Sequence, residues 1–274
     1  MRWINGINSV LLTSRWNGIE VNGAKKLDET RFVIFDAVST IIYPEPDVFS
    51  AYHRHGQKFG SQLTRDEVKK SFHQLRQELF DSELAPEAID FGSVELISSD
   101  QIEFDLWRCL VERLFVEVAD PLGLFHALWS HFAMESSWRV FADVQPCWER
   151  LRSRGFKIGI ASNFDSRLFE LCKRLPPLDQ ADLIVCSAKT GFRKPDKRFF
   201  RSIESQIESQ IASEHPNSEL SLVMVGDDAV NDVLAPRLLG WRSFHIDRKC
   251  SQDCGETLRT LDGLPELLSA SKNS

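Results

Sequence analysis

Asp36 closes a short apolar run and is followed closely by Thr40. Ser162 and Asn163 close a second such run. Lys194 follows a third, inside the segment GFRKPD (residues 191–196). A fourth run ends on Gly226, Asp227 and Asp228, with Asn231 and Asp232 just behind. Asp36 and Asp227 are carboxylates of the kind that hold a hard divalent cation such as Mg²⁺, with water and phosphate oxygens completing its shell. Thr40 and Ser162 offer hydroxyls to an oxyanion and Lys194 an ammonium. Taken one at a time, each locus reads as ordinary turn chemistry. An Asp after a strand turns the chain, Ser–Asn starts a helix, and a Lys before Pro is solvated. Placed in this order at four run ends, they read as one site for a metal and a phosphorylated ligand.

The elements that must position these residues are legible in the apolar pattern. Residues 31–36 (RFVIFD) form a buried strand, ended by the YPEP break at 43–46. From about residue 47 to 140 the pattern is helical: Ile102, Leu106, Leu110 and Leu114 line one face, and Leu124, Leu128 and Phe132 another. Thr64 with Glu67, and Asp100 with Glu103, have the spacing of capping boxes. Trp107 and Trp129 are read as core of this helical block. His53, His55 and His73 are read as surface or capping residues, and Lys58, Lys69 and Lys70 as solvated.

Beyond about residue 142 the rhythm changes. Strands are predicted at 156–161, 183–186, 222–226 and 243–246, with helices at 144–154, 198–211 and 230–239 between them. Such alternation implies an α/β fold, a Rossmann-like parallel sheet covered by helices on both faces. Because the first strand precedes the helical block, the block is an insertion into that sheet. The expected organisation is an N-terminal extension at 1–30, a core at 31–43 and 141–274, and an all-helical cap at 44–140. In an open α/β sheet ligands bind outside the carboxyl ends of the strands, where all four loci fall.

Composition sets outer bounds. The 274 residues carry 42% hydrophobic and 27% charged side chains, an ordinary globular balance. The formal net charge of −7 argues against nucleic acid or an anionic membrane as partner. The one basic stretch, 193–201, is short and reads as part of a site. Six cysteines are sparse for the length, and only Cys250 and Cys254 lie close together, so free thiols are expected. The apolar run at 10–12 is too short for a signal peptide, and nothing reaches the ~18 apolar residues of a membrane span. A cytoplasmic protein is expected, and the sequence does not disclose its oligomeric state.

The order D-x-x-x-T, then S-N, then G-x-x-K-P-D, then G-D-D-x-x-N-D resembles the haloacid dehalogenase superfamily, and the inserted helices resemble that superfamily's helical cap. The segments SNFDSRL (162–168) and DAVST (36–40) are similar to the rhythmically-expressed-gene-2-like subgroup. The resemblance covers roughly residues 31–270. It implies a hydrolase in which Asp36 is the nucleophile and forms an aspartyl intermediate. Asp36, Asp227 and the backbone carbonyl of Val38 would hold Mg²⁺. Thr40, Ser162, the Asn163 N–H and Lys194 would receive the phosphoryl group of a small molecule. Asp232 would orient Lys194 or a metal-bound water, with Asp228 as a further supporting acid.

One position departs from the pattern. Phosphatases of this superfamily carry a second Asp two residues after the nucleophile to protonate the leaving group, and here that residue is Val38. Losing such help lowers rates by ~10²–10⁴. The expectation is a Mg²⁺-dependent phosphatase. The alternatives are a catalytically weakened phosphate- or partner-binding protein, and a 2-haloacid dehalogenase or phosphonatase-type hydrolase.

Overall fold

The computed structural model describes residues 29–81, 96–212, 219–250 and 257–270. Strand β1 (Glu29–Phe35) is the centre of a six-stranded sheet with β4 (Phe156–Ser162), β5 (Leu183–Cys186), β6 (Glu219–Gly226), β7 (Arg242–Ile246) and β8 (Thr257–Leu258). The order is β5-β4-β1-β6-β7-β8 and every pairing is parallel. The chain builds β4 and β5 on one side of β1 and β6 to β8 on the other. The strand order therefore reverses at the carboxyl end of β1, where a doubly wound sheet leaves its crevice.

Alternation along β1 supplies both faces. Val33 and Phe35 enter one core cluster with Ile158, Ile160, Trp148 and Leu171, while Phe32 and Ile34 enter another with Met224, Phe199, Phe200 and Ile203. Neighbouring side chains point to opposite faces, and a sheet covered on both sides has near-continuous apolar strands. Each such side chain, taken out of water, contributes ~1.5–3 kcal/mol. Helices α5 (Val144–Ser153), α6 (Arg167–Arg174) and α10 (Leu264–Ala270), with short α7 (Ser187–Thr190), α8 (Lys197–Ile211) and short α9 (Ala235–Leu238), alternate with strands β4 to β8. On α8 the buried residues Phe199, Phe200, Ile203, Ile207 and Ile211 follow helical spacing.

Between β1 and β4 the chain forms β2 (Ile42–Pro44), helices α1 (Val48–Lys58), α2 (Arg65–Arg76), α3 (Asp100–Leu114) and α4 (Pro121–His131), and β3 (Trp138–Val140). β2 and β3 pair antiparallel, Pro44 opposite Trp138 and Ile42 opposite Val140. The helices pack on a cluster of their own, built on Tyr52, Phe72, Leu110, Phe115, Leu124 and Phe125. Thr64 and Glu67 do form a capping box. The second expected box does not exist. Ser99 caps α3 through its hydroxyl, Asp100 instead accepts from Ser166, and Glu103 is buried against Ser98. The predicted helix at 230–239 is a π-helical turn, Ala229–Leu234, running into α9. Residues 29 and 30, assigned above to the extension, open β1, and 1–28 lie outside the described residues. Among the described residues no helix is long and apolar enough to cross a membrane, and Cys109, Cys147, Cys172, Cys186 and Cys250 are free thiols. Cys254 lies outside them.

Candidate active site

Asp36 follows β1 directly, its N–H donating to Val225 O across the sheet. The chain then turns sharply: the amides of Ile41 and Ile42 both donate to Ala37 O, and Ser39 takes φ 67°, a left-handed conformation that few non-glycine residues adopt. Asp36 Oδ1 accepts from Ser162 Oγ at 2.9 Å and from Lys194 Nζ at 2.8 Å. Lys194 Nζ also donates to Asp232 Oδ1 at 2.6 Å and to Ala161 O at 3.0 Å. Asn163 brackets the lysine's main chain: its Nδ2 donates to Lys194 O at 3.0 Å, and Lys194 N donates to its Oδ1 at 2.7 Å. The Ser–Asn pair thus locks the lysine loop and starts no helix. α6 begins later, at Arg167.

Asp227 and Asp232 come from the end of β6. Gly226 is required there, because a Cβ at that position would overlap the Asp232 carboxylate. Carboxylate oxygens of Asp36, Asp227 and Asp232 all lie within 4.8 Å of one another. Lys194 is the one ammonium bonded to this cluster among the described residues, so three carboxylates share a single bonded cation. Burial depresses a lysine, yet the Asp232 and Asp36 charges reverse that and hold Lys194 above the usual range. Asp232 is raised to about 7, by burial first and by the Asp36 charge against the pull of Lys194. Asp227 opens onto the cleft. Its withdrawal from bulk water, then the charges of Asp36 and Asp232, raise it to about 7. Such a surplus of negative charge is a setting that a divalent cation relieves.

A cleft of about 930 Å³ lies over the cluster and is lined by Asp36, Val38, Ser162, Asn163, Lys194 and Asp227 from the sheet side. Val38 presents an apolar side chain there. Asp228 also lines the cleft, but its Oδ1 accepts from the amides of Val230 and Asn231 and so caps the turn behind it. Thr40 is displaced from its expected role. It is fully buried, its hydroxyl has no partner among the described groups, and it does not line the cleft. The tight turn after Asp36 carries it inward, and its carbonyl accepts from Arg248, which also pairs with Asp143. The far wall comes from the helical block. Trp107 and Trp129 are cleft residues as well as core, and His73 and Arg76 join them, whereas His53, His55, Lys58, Lys69 and Lys70 do not line the cleft.

Arg193, from the basic stretch read as part of a site, lines the cleft, as do Asp165 and Arg167, which sequence reasoning passed over. Arg167 pairs with buried Asp165 at 2.7 Å and lies 3.4 Å over the Trp129 ring. Arg193 faces Glu103 at 3.6 Å and stacks on Phe80. The SNFDSRL segment held the only hint of the first pair, and nothing in it names their partners.

A family model described as haloacid dehalogenase-like hydrolase matches residues 30–240. The zebrafish (Danio rerio) haloacid dehalogenase-like hydrolase domain-containing protein 3 is 29% identical over 249 residues, covering 87% of this chain and 96% of that protein. Ribulose-1,5-bisphosphate 5-phosphatase of Halopiger xanaduensis is 31% identical over 140 residues, 50% of this chain and 54% of its own length. Among solved structures, the putative hydrolase YfnB of Bacillus subtilis, crystallised bound to magnesium, aligns with a TM-score of 0.60 at 20% identity. That alignment covers 88% of this chain and 99% of the other and shows the shared fold.

Proposed function

The chain belongs to the haloacid dehalogenase-like hydrolases, and from that premise we propose that it is a Mg²⁺-dependent phosphohydrolase for a small phosphorylated molecule, with Asp36 as nucleophile. The observation that carries the reading is the cluster of three carboxylates, two of them bonded to one ammonium, at the carboxyl end of the central strand. This donor set fits a hard divalent cation. Asp36, Asp227 and the Val38 carbonyl would hold the ion, and its charge would offset repulsion between an anionic nucleophile and an anionic phosphoryl group. Asp232, fully committed to Lys194 and the Asp228 amide, stands behind them.

Asp36 Oδ1 is committed to Ser162 and Lys194, and Oδ2 accepts no hydrogen bond among the described groups. Oδ2 is therefore the oxygen that attacks phosphorus. The new Asp36 O–P bond forms as the bond from phosphorus to the leaving oxygen breaks. Water then attacks the aspartyl phosphate, releasing phosphate and restoring the carboxylate. Ser162 and the main-chain N–H of Asn163 receive phosphoryl oxygens, and Lys194 is placed where negative charge builds. The phosphatase activity named for the haloarchaeal relative supports this direction.

Val38 favours a second reading, a weakened enzyme or a phosphate-binding protein, because an apolar side chain occupies the cleft beside Asp36. Incubation with p-nitrophenyl phosphate and Mg²⁺ separates the two. Turnover abolished by Asp36→Asn is the expected result. Inactivity of the wild type with activity in Val38→Asp would support the weakened protein. Halide release from a 2-haloacid without metal would overturn the phosphatase reading in favour of a dehalogenase.

A further inference from the structure

Residues 162–167 do two jobs within one turn. Ser162 and Asn163 hold Asp36 and the Lys194 main chain. Two of the four residues that follow, Ser166 and Arg167, reach the helical block. Ser166 donates from its N–H and its hydroxyl to Asp100, the first residue of α3, at 2.8 and 2.7 Å. Arg167 donates from Nη1 to the carbonyl of Trp129 on α4 at 3.0 Å and stacks on that indole. Asp165 fixes the guanidinium plane from behind: Oδ1 accepts from Arg167 N and Nε, and Oδ2 from Nη2. The side chains of Arg167 and Asp165 are only 18% and 5% exposed, so this fork–fork pair is not a solvated surface contact.

No regular element separates the two jobs. β4 ends at Ser162 and α6 begins at Arg167. The path of the intervening turn is therefore set from both ends, by Asp36 at one and by α3 and α4 at the other. The lysine loop is held in the same way. Arg193 N donates to Leu96 O at 2.8 Å and its side chain faces Glu103 of α3. Asn163 ties the two loops together.

We propose that Arg167 is a positioning residue that couples the seating of α3 and α4 on the sheet to the placement of Ser162 and Asn163 against Asp36. Its rate readout rests on the phosphohydrolase reading above, and its exchange readout does not. Arg167→Lys keeps a cation beside Asp165 but cannot bridge Asp165 and the Trp129 carbonyl at once or stack in the same plane. In the full-length protein, Arg167→Lys lowers kcat for p-nitrophenyl phosphate with Mg²⁺ by about 10- to 100-fold, the scale expected of an ångström-sized misplacement. Amide exchange rises together at residues 125–131 and 162–164, while α5 exchange is unchanged. Ser166→Ala, which keeps the main-chain bond to Asp100 but removes the hydroxyl bond to α3, raises exchange together at the start of α3 and at 162–164 with a smaller loss of kcat, and carries the test should Arg167→Lys fold poorly.

Faster exchange on α4 alone, with kcat intact, would overturn the coupling and leave Arg167 a simple staple. A rate loss that only tracks loss of folded protein would overturn it too. Wild-type protein inert toward phosphate esters would remove the phosphohydrolase reading but not this one. Joint exchange at the two segments would still support the coupling, and exchange at one alone would still refute it.

Discussion

Asp227→Asn is expected to stabilise the metal-free protein and to abolish its response to Mg²⁺. The Asp227 carboxylate accepts no hydrogen bond among the described residues, and Asn preserves its shape, so the change removes little besides charge. That charge lies with Asp36 and Asp232 in a cluster bonded to one ammonium. Asp227 is raised from 3.8 to about 7, and at ~1.4 kcal/mol for each tenfold change in proton affinity the ceiling is ~4 kcal/mol. The repulsion is shared among three groups and Asp227 opens onto the cleft, so solvent screening reduces it to roughly 1–2 kcal/mol. A carboxylate raised in the folded state contributes least when ionised: stability is lost as pH rises from about 4 through about 7. The gain from Asp227→Asn is therefore largest near pH 8 and shrinks toward pH 4. Thermal unfolding in EDTA at pH 8 should show a Tm raised by roughly 2–8 °C. With millimolar Mg²⁺ the order reverses, because only the wild type gains stability by binding. A lower Tm for Asp227→Asn in EDTA, or equal Mg²⁺ stabilisation of both proteins, would refute the reasoning.

Two further outcomes follow from the same cluster. Val38→Asp places a proton donor in the cleft beside Asp36 and is expected to raise kcat toward alkyl phosphates by ~10²–10⁴ while changing p-nitrophenyl phosphate less. Equal gains on both substrates, measured by phosphate release, would contradict the assignment. Lys194→Met leaves two buried carboxylates without their cation and is expected to destabilise the fold by ~3–5 kcal/mol in urea unfolding at pH 8, with turnover lost.

Five strands of the main sheet could be read from the sequence because each carries a short apolar run in a sheet covered on both faces, and the candidate residues announce themselves by standing at the run ends; β8, two residues long, and the short β2 and β3 carry no such run. What failed depended on partners outside the local sequence. Asp100 and Glu103 have capping-box spacing, yet Ser99 takes the cap, and the two acids are drawn off by Ser166, Lys189 and Ser98. Thr40 has the spacing of a phosphate ligand, yet the turn at Ser39 rotates it into the interior. Arg167 gave no sign of its role because the atom it seeks on α4 is a backbone carbonyl, which every residue possesses.

The paired strands β2 and β3 carry a consequence for how such a molecule can change. Pro44 faces Trp138 across one antiparallel step, so the chain leaves the sheet region and returns to it about 5 Å apart. Everything between passes through a single doorway whose two jambs are hydrogen-bonded to each other. A different set of helices, or a plain short turn, can hang from the same doorway without altering the order of a single strand. The cleft's far wall is thereby an exchangeable cassette, hung on a sheet whose strand order stays the same.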